Sequence, residues 1–192
     1  MEAIDLYNPI HRLSVERFHR LIEAGILDEG DRVELIDGEI RDMPPIGPPH
    51  GSTTDTLTML FAPPLAGRAI IRVQGPLTLD DGTEVYPDFM VLRWRDDRYA
   101  RANPTPEDVR LLIEVADSSL ALDRGLKLGK YARAGIGRYW VADIPHRTLH
   151  DYRDPDRFGG RYRQLHSVSE GRISITIEEA EIPVQITELF PG

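Results

Sequence analysis

The sequence predicts an α/β chain in which a mixed β-sheet is flanked by helices. Three observations carry this expectation. Apolar residues recur at helical spacing after Ser14, after His50 and again over residues 122–134. Short apolar runs bounded by Gly, Pro and Asp lie between these stretches, as strands do. The tail, residues 161–190, is mostly strand-like, with Ile173, Ile175 and Ile177 alternating.

The elements follow in order. Ser14 caps a helix that carries Phe18, Leu21 and Ile22 on one stripe and runs to about Gly25. Residues 32–43 form a β-hairpin, because Val33, Leu35, Ile40 and Met43 flank Asp37-Gly38, a two-residue turn signal. A second helix follows His50 with Leu57, Met59, Leu60 and Phe61, and is expected to end near Pro63. Residues 69–73 and 76–79 are strands, and Asp80-Asp81-Gly82 is a turn. Residues 85–94 read as one strand, starting at an edge or a bend because of Pro87. Residues 93–108 are polar, carry Pro104 and Pro106, and read as a loop. Residues 109–115 center on Leu111-Leu112-Ile113 and suit a strand buried on both faces. The helix over 122–134 ends at Gly135. Residues 138–142 and 148–152 are further strands.

Composition sets the bounds. The chain has 192 residues, the size of one domain. It has no cysteine, which excludes a disulfide framework, a thiolate zinc site and a cysteine nucleophile and is compatible with the cytoplasm. Met1, Glu2 and Asp5 open an acidic stretch unlike a signal peptide, and no apolar run is long enough for a membrane span. The net charge of −9 argues against coating nucleic acid through the overall field, so any phosphate partner needs a local basic rim. Arg124, Lys130 and Arg133 are candidates for that rim, and a solvated helix face explains them equally well.

One pair of acids stands out. Asp88 follows Pro87 in a strand, and Glu114 ends the most apolar strand, an odd place for a charge. Two carboxylates converging on one point are the least a protein needs to hold a hard divalent cation, which keeps several waters. Such an ion suits phosphodiester hydrolysis, where charge builds on the phosphoryl oxygens. The backbone carbonyl of Val115 is a candidate third ligand, and Lys127 and Lys130 lie on the next helix, within reach of the site. The blander readings are a strand-end Asp88, and a Glu114 paired with an arginine. For Asp123 and Lys127 the bland reading is a surface i,i+4 pair worth about 0.3–0.5 kcal/mol.

The ordered residues carry a resemblance. Pro87-Asp88 followed by Ile113-Glu114-Val115 resembles the PD-(D/E)XK nuclease superfamily. A closer likeness, over nearly the whole chain, is to its Uma-two family of restriction endonucleases. It rests on 33–40 (Val-Glu-Leu-Ile-Asp-Gly-Glu-Ile), His50, Pro87-Asp88, 113–119 (Ile-Glu-Val-Ala-Asp-Ser-Ser), Asp123, Lys127, Tyr131, Ala132, Gly135 and Tyr139-Trp140. The resemblance implies a restriction-endonuclease-like core, a Mg2+ (or Mn2+) cofactor, metal carboxylates at Asp88 and Glu114, and nucleic acid, DNA first, as partner. Ala116 stands where the superfamily has its lysine, and the family pattern moves that role to Lys127. The family also makes Glu34 a candidate auxiliary acid, although solvated strand faces are the default for Glu34 and Glu39. His50, ahead of a helix, is a candidate phosphate contact, and Trp140 is expected to pack in the core. A homodimer is compatible with cutting both strands, but no patch marks an interface. Besides a metal-dependent endonuclease, two classes stay open: an inactive nucleic-acid-binding module on the same fold, and a different metal hydrolase. No nucleophile elbow, Walker loop or paired-histidine zinc motif is present.

Overall fold

The structure is a computed structural model and describes residues 10–28 and 30–190. The reading made on Met1, Glu2 and Asp5 lies outside these residues. Helix α1 (Val15–Glu23) starts at Ser14, whose hydroxyl accepts from the Arg17 N–H. The hairpin β1 (Val33–Ile36) and β2 (Glu39–Asp42) turns at Asp37 and Gly38. Both turn residues are left-handed, with φ of 54° and 75°, as this turn demands. Helix α2 (Pro48–Leu65) precedes β3 (Ala69–Val73), β4 (Leu77–Asp80), β5 (Thr83–Val85) and β6 (Phe89–Arg93). A 3-10 turn at Pro106–Asp108 leads into β7 (Val109–Ala116).

The chain then forms α3 (Leu120–Leu122), a π-helical turn (Asp123–Lys127) and α4 (Leu128–Ala134), which Gly135 ends in a left-handed conformation. Strands β8 (Arg138–Asp143), β9 (Thr148–Asp156), β10 (Arg161–Val168), β11 (Arg172–Ile177) and β12 (Ala180–Gln185) follow, with α5 (Ile186–Leu189) last. No helix among the described residues is long and apolar enough to cross a membrane.

A six-stranded sheet ordered β10-β9-β8-β7-β6-β3 is the center of the fold. It is mixed: β7 and β8 run parallel and the other pairs antiparallel. The parallel pair requires a crossover, which the α3–α4 segment supplies. Strands β2-β1-β5-β4 make a second sheet, and β11 with β12 a third. Alternation along β7 sends Leu111, Ile113 and Val115 into one core with α2, β11, β12 and α5. Leu112 and Ala116 enter the other, with Ile36, Val85, Tyr131 and Tyr139. Glu114 lies between Leu112 and Ala116 on that second face, so the sheet itself directs a charge beneath α4.

Five expectations need correction. The predicted strand over 85–94 is two strands in different sheets, β5 and β6. Pro87 cannot donate to a ladder, so the chain leaves one sheet there and enters the next. Asp88 therefore sits in the bend just before β6, not within a strand. Helix α2 starts at Pro48, where a first-turn proline needs no N–H partner, and passes through Pro63 and Pro64 to Leu65. The missing donors end the ladder just downstream of them. The predicted helix over 122–134 begins earlier and widens into a π turn, and the strands form three sheets instead of one.

Asp151 locks β8 to β9. Its carboxylate accepts from Arg138 at 3.0 and 2.8 Å, and from Arg153 at 2.8 and 2.5 Å. Burial alone would raise its pKa, but the two guanidiniums outweigh it and hold the carboxyl below its usual range. A depressed folded-state pKa gives stability that is present above the unfolded value, about 3.9, and lost as pH falls through the folded one. Asp151→Asn is expected to cost about 1.5–3 kcal/mol at pH 7. The gap from wild type should close below about pH 4, as measured by urea unfolding across pH; a gap independent of pH contradicts the pairing.

Candidate active site

The register Phe89↔Ile113 sets Asp88 directly opposite Glu114, on the same face of the sheet. The two acids are locked reciprocally. The Val115 N–H donates to Asp88 Oδ2 at 2.8 Å, and the Asp88 N–H donates to Glu114 Oε2 at 3.2 Å. His50, in the first turn of α2, places Nε2 2.9 Å from Asp88 Oδ1. Its Nδ1 is buried without a hydrogen-bond partner among the described residues.

From above, the α3–α4 segment presents Asp123, Lys127 and Tyr131 at four-residue spacing. Lys127 Nζ lies 3.2 Å from Glu114 Oε1 and 3.2 Å from Glu34 Oε2. The Tyr131 hydroxyl donates to Glu114 Oε1 at 2.6 Å, and the Ser119 hydroxyl to Asp123 Oδ2 at 2.5 Å. The π turn falls where Asp123 and Lys127 dip toward the sheet, and single π turns recur at functional sites. Glu34, Glu114, Asp123 and Lys127 are 1, 2, 2 and 6% exposed. The surface i,i+4 reading of Asp123 and Lys127 is thereby excluded. So is a solvated face for Glu34, because α4 and the π turn cover the side of β1 that was expected to meet water.

Electrostatics follow from this crowding. Burial raises the Glu114 pKa well above the usual carboxylate range; Lys127 opposes the shift, and Asp88 and Asp123 add to it. For Asp88 burial is also the largest influence, yet His50, the Val115 N–H and Lys127 together hold the carboxyl below its ordinary value. Asp123 is pushed up to about 6, by burial first, against the opposing Lys127 and Ser119. Burial would neutralise Lys127, but Glu114, Glu34 and Asp123 outweigh it and raise its pKa, so the amine stays charged.

These groups border a cavity of about 140 Å³ whose walls include Asp88, Glu114, Val115, Asp123, Lys127 and His50. Four buried or half-buried carboxyl groups (Glu34, Asp88, Glu114 and Asp123) face a single buried ammonium. That acidic excess, supplied by hard oxygen donors, fits a divalent cation of the magnesium type. Among the described residues no set of three His, Cys, Asp or Glu side chains forms a ready metal cluster. The groups here that could hold such an ion are the two carboxylates set opposite each other, Asp88 and Glu114.

The structure brings Asp88, Glu114, Val115, Lys127, Glu34 and His50 together. It does not bring Lys130, whose amine pairs with the Asp37 side chain and lines a separate surface cleft with Arg133. Arg124 instead donates from Nε to the Tyr152 hydroxyl at 2.8 Å. The rim expected from these three cations is thus absent from this cavity, and the arginine that borders it is Arg32. Arg32 arrives because its carbonyl closes the hairpin with the Met43 N–H at 2.7 Å. Asp123 and Tyr131 stood in the sequence among the residues of the family resemblance, with no role of their own assigned.

Comparisons with known proteins agree with this architecture. The family model Uma2, described as "Putative restriction endonuclease", matches residues 15–185. A crystal structure titled as that of "a putative nuclease" from Anabaena variabilis aligns with a TM-score of 0.66. The alignment covers 95% of this chain and 98% of that one at 20% identity, a likeness that carries the fold. None of the curated proteins matches the chain. With its mixed sheet flanked by helices and a family match over most of its length, the chain belongs to the Uma2 family of restriction-endonuclease-like proteins.

Proposed function

We propose that the chain is a metal-dependent endonuclease that hydrolyses phosphodiester bonds of nucleic acid, DNA first, at the cavity around Asp88 and Glu114. The observation that carries this reading is the cross-strand pair of acids joined to a buried, charged lysine. Asp88, Glu114 and the Val115 carbonyl would hold Mg2+ (or Mn2+). Bound there, the ion would polarise the phosphoryl group and lower the pKa of a bound water.

The chain's own residues then divide the work. His50 and the Val115 N–H orient Asp88, and Tyr131 orients Glu114. Lys127 is a charged donor, not a base. Its ammonium donates to Glu114 Oε1 and pairs by charge with Glu34 Oε2, both at 3.2 Å, and would steady negative charge on an attacking hydroxide. Asp123, raised to about 6, is a carboxylate able to accept a proton near neutral pH. Glu34 acts through Lys127, holding its position.

The test is incubation of purified protein with supercoiled plasmid, with and without manganese or magnesium. Nicking that requires the metal is the expected result. Gel shifts without cleavage, across metals and across DNA and RNA, would instead identify a binding module on the same fold.

A further inference from the structure

Eight described residues other than glycine hold φ in the left-handed region. Several serve hairpin turns, such as Asp37 beside Gly38, and Glu178 and Glu179 between β11 and β12. Gln74, with φ of 49°, is the one of the eight that borders the cavity holding Asp88 and Glu114. Its neighbor Gly75 does not take the left-handed conformation, although glycine does so without strain. Gly75 instead leaves room for a neighbor: a Cβ there would lie 2.4 Å from Arg72 Cδ and would displace that side chain. The Arg72 side chain folds beneath it to set its guanidinium over the Tyr99 ring.

The strained position therefore falls on a residue with a side chain, whose Cβ crowds the adjoining carbonyl. The backbone there makes one contact with the site, from the Gln74 N–H to the Asp88 carbonyl oxygen at 3.2 Å. Glycine would supply the same N–H with less strain. What glutamine adds is its carboxamide, carried by an exposed residue that borders the cavity and making no hydrogen bond within the described residues. A phosphate approaching this acidic cavity needs donors that add no further negative charge, and a carboxamide supplies two N–H groups.

We propose that Gln74 is a substrate-contacting residue, donating from its carboxamide to a phosphate oxygen of the nucleic-acid strand beside the scissile bond. This rests on the nuclease reading above. The experiment compares wild type with Gln74→Gly and Gln74→Glu. Gln74→Gly is expected to leave the melting temperature unchanged or to raise it by about 2–4 °C. It should raise KM for an oligonucleotide substrate about tenfold, the worth of one hydrogen bond to a charged phosphate, while kcat changes less. Gln74→Glu exchanges a donor for a charged acceptor and should raise KM further. A KM within twofold of wild type in Gln74→Gly overturns the proposal. So does a fall in melting temperature, which would make the side chain structural. If wild type cleaves nothing, the nuclease reading fails, and binding of a labeled oligonucleotide by fluorescence anisotropy decides Gln74 separately. Weaker binding by Gln74→Gly supports the contact; equal binding, or none by wild type, overturns it.

Discussion

Replacing Lys127 by methionine is expected to destabilise the folded chain by about 3–5 kcal/mol and to abolish cleavage. Methionine keeps most of the apolar stem and deletes the ammonium. That ammonium lies 3.2 Å from both Glu34 and Glu114, and all three groups are buried. Its loss leaves buried carboxylates without their counter-charge, a state that costs far more than the net worth of the intact pair. Urea unfolding measures the loss, and a double-mutant cycle with Glu34→Gln apportions it: Glu34→Gln should recover part of the stability in the methionine background, because one stranded charge is gone. Lys130→Met is the control. Its amine pairs with Asp37, whose side chain is half exposed, so a change below about 1 kcal/mol and retained cleavage are expected. If Lys130 gave the large effect and Lys127 the small one, the lysine assignment would be wrong. A Lys127→Met protein as stable as wild type would contradict the ion-pair geometry itself.

The same residues show what a sequence can and cannot convey. Glu114 was legible because it interrupts an apolar run, and Asp88 because proline precedes it; both signals are local. Alternation along β1 put Glu34 on the opposite face from Leu35, but periodicity tells only which way a side chain points. What lies over it is decided by tertiary packing, and here the π turn lies over it with Lys127. The predicted strand over 85–94 failed for a related reason: both halves have strand propensity, and only the sheet assignments reveal that Pro87 divides them. Lys127 and Lys130 are three residues apart on one helical stretch, and the sequence gives both an equal charge. The structure separates them, one facing the cavity and one the β1–β2 turn. The network at Asp123 was invisible as such, since a serine four residues earlier and a lysine four later match an ordinary helix surface.

The last expected result concerns Glu114→Gln, which keeps side-chain shape and removes the charge. Wild type should gain about 2.7 kcal/mol of stability at a hundredfold excess of divalent cation over its dissociation constant. For a chain of this size that is a rise of about 5–11 °C in melting temperature. A bound cation would relieve two acids set opposite each other across adjacent strands, where like charges repel. In Glu114→Gln the metal-induced rise should largely vanish, because one Asp88 carboxylate and a carbonyl are a poor site for a hard cation. Cleavage should fall by about 10²–10³-fold or more, the rate equivalent of several kcal/mol of lost charge stabilisation. The metal-free protein should respond differently. The amide nitrogen that the substitution introduces, placed where Glu114 Oε2 now accepts from the Asp88 N–H at 3.2 Å, would set donor against donor. The buried charge that desolvation disfavors would be gone at the same time. The two effects oppose, so the variant's own melting temperature should move less than its metal response. Thermal melts of both proteins with and without manganese measure this directly. A full metal-induced rise in Glu114→Gln would place the cation elsewhere, whatever the plasmid assay showed.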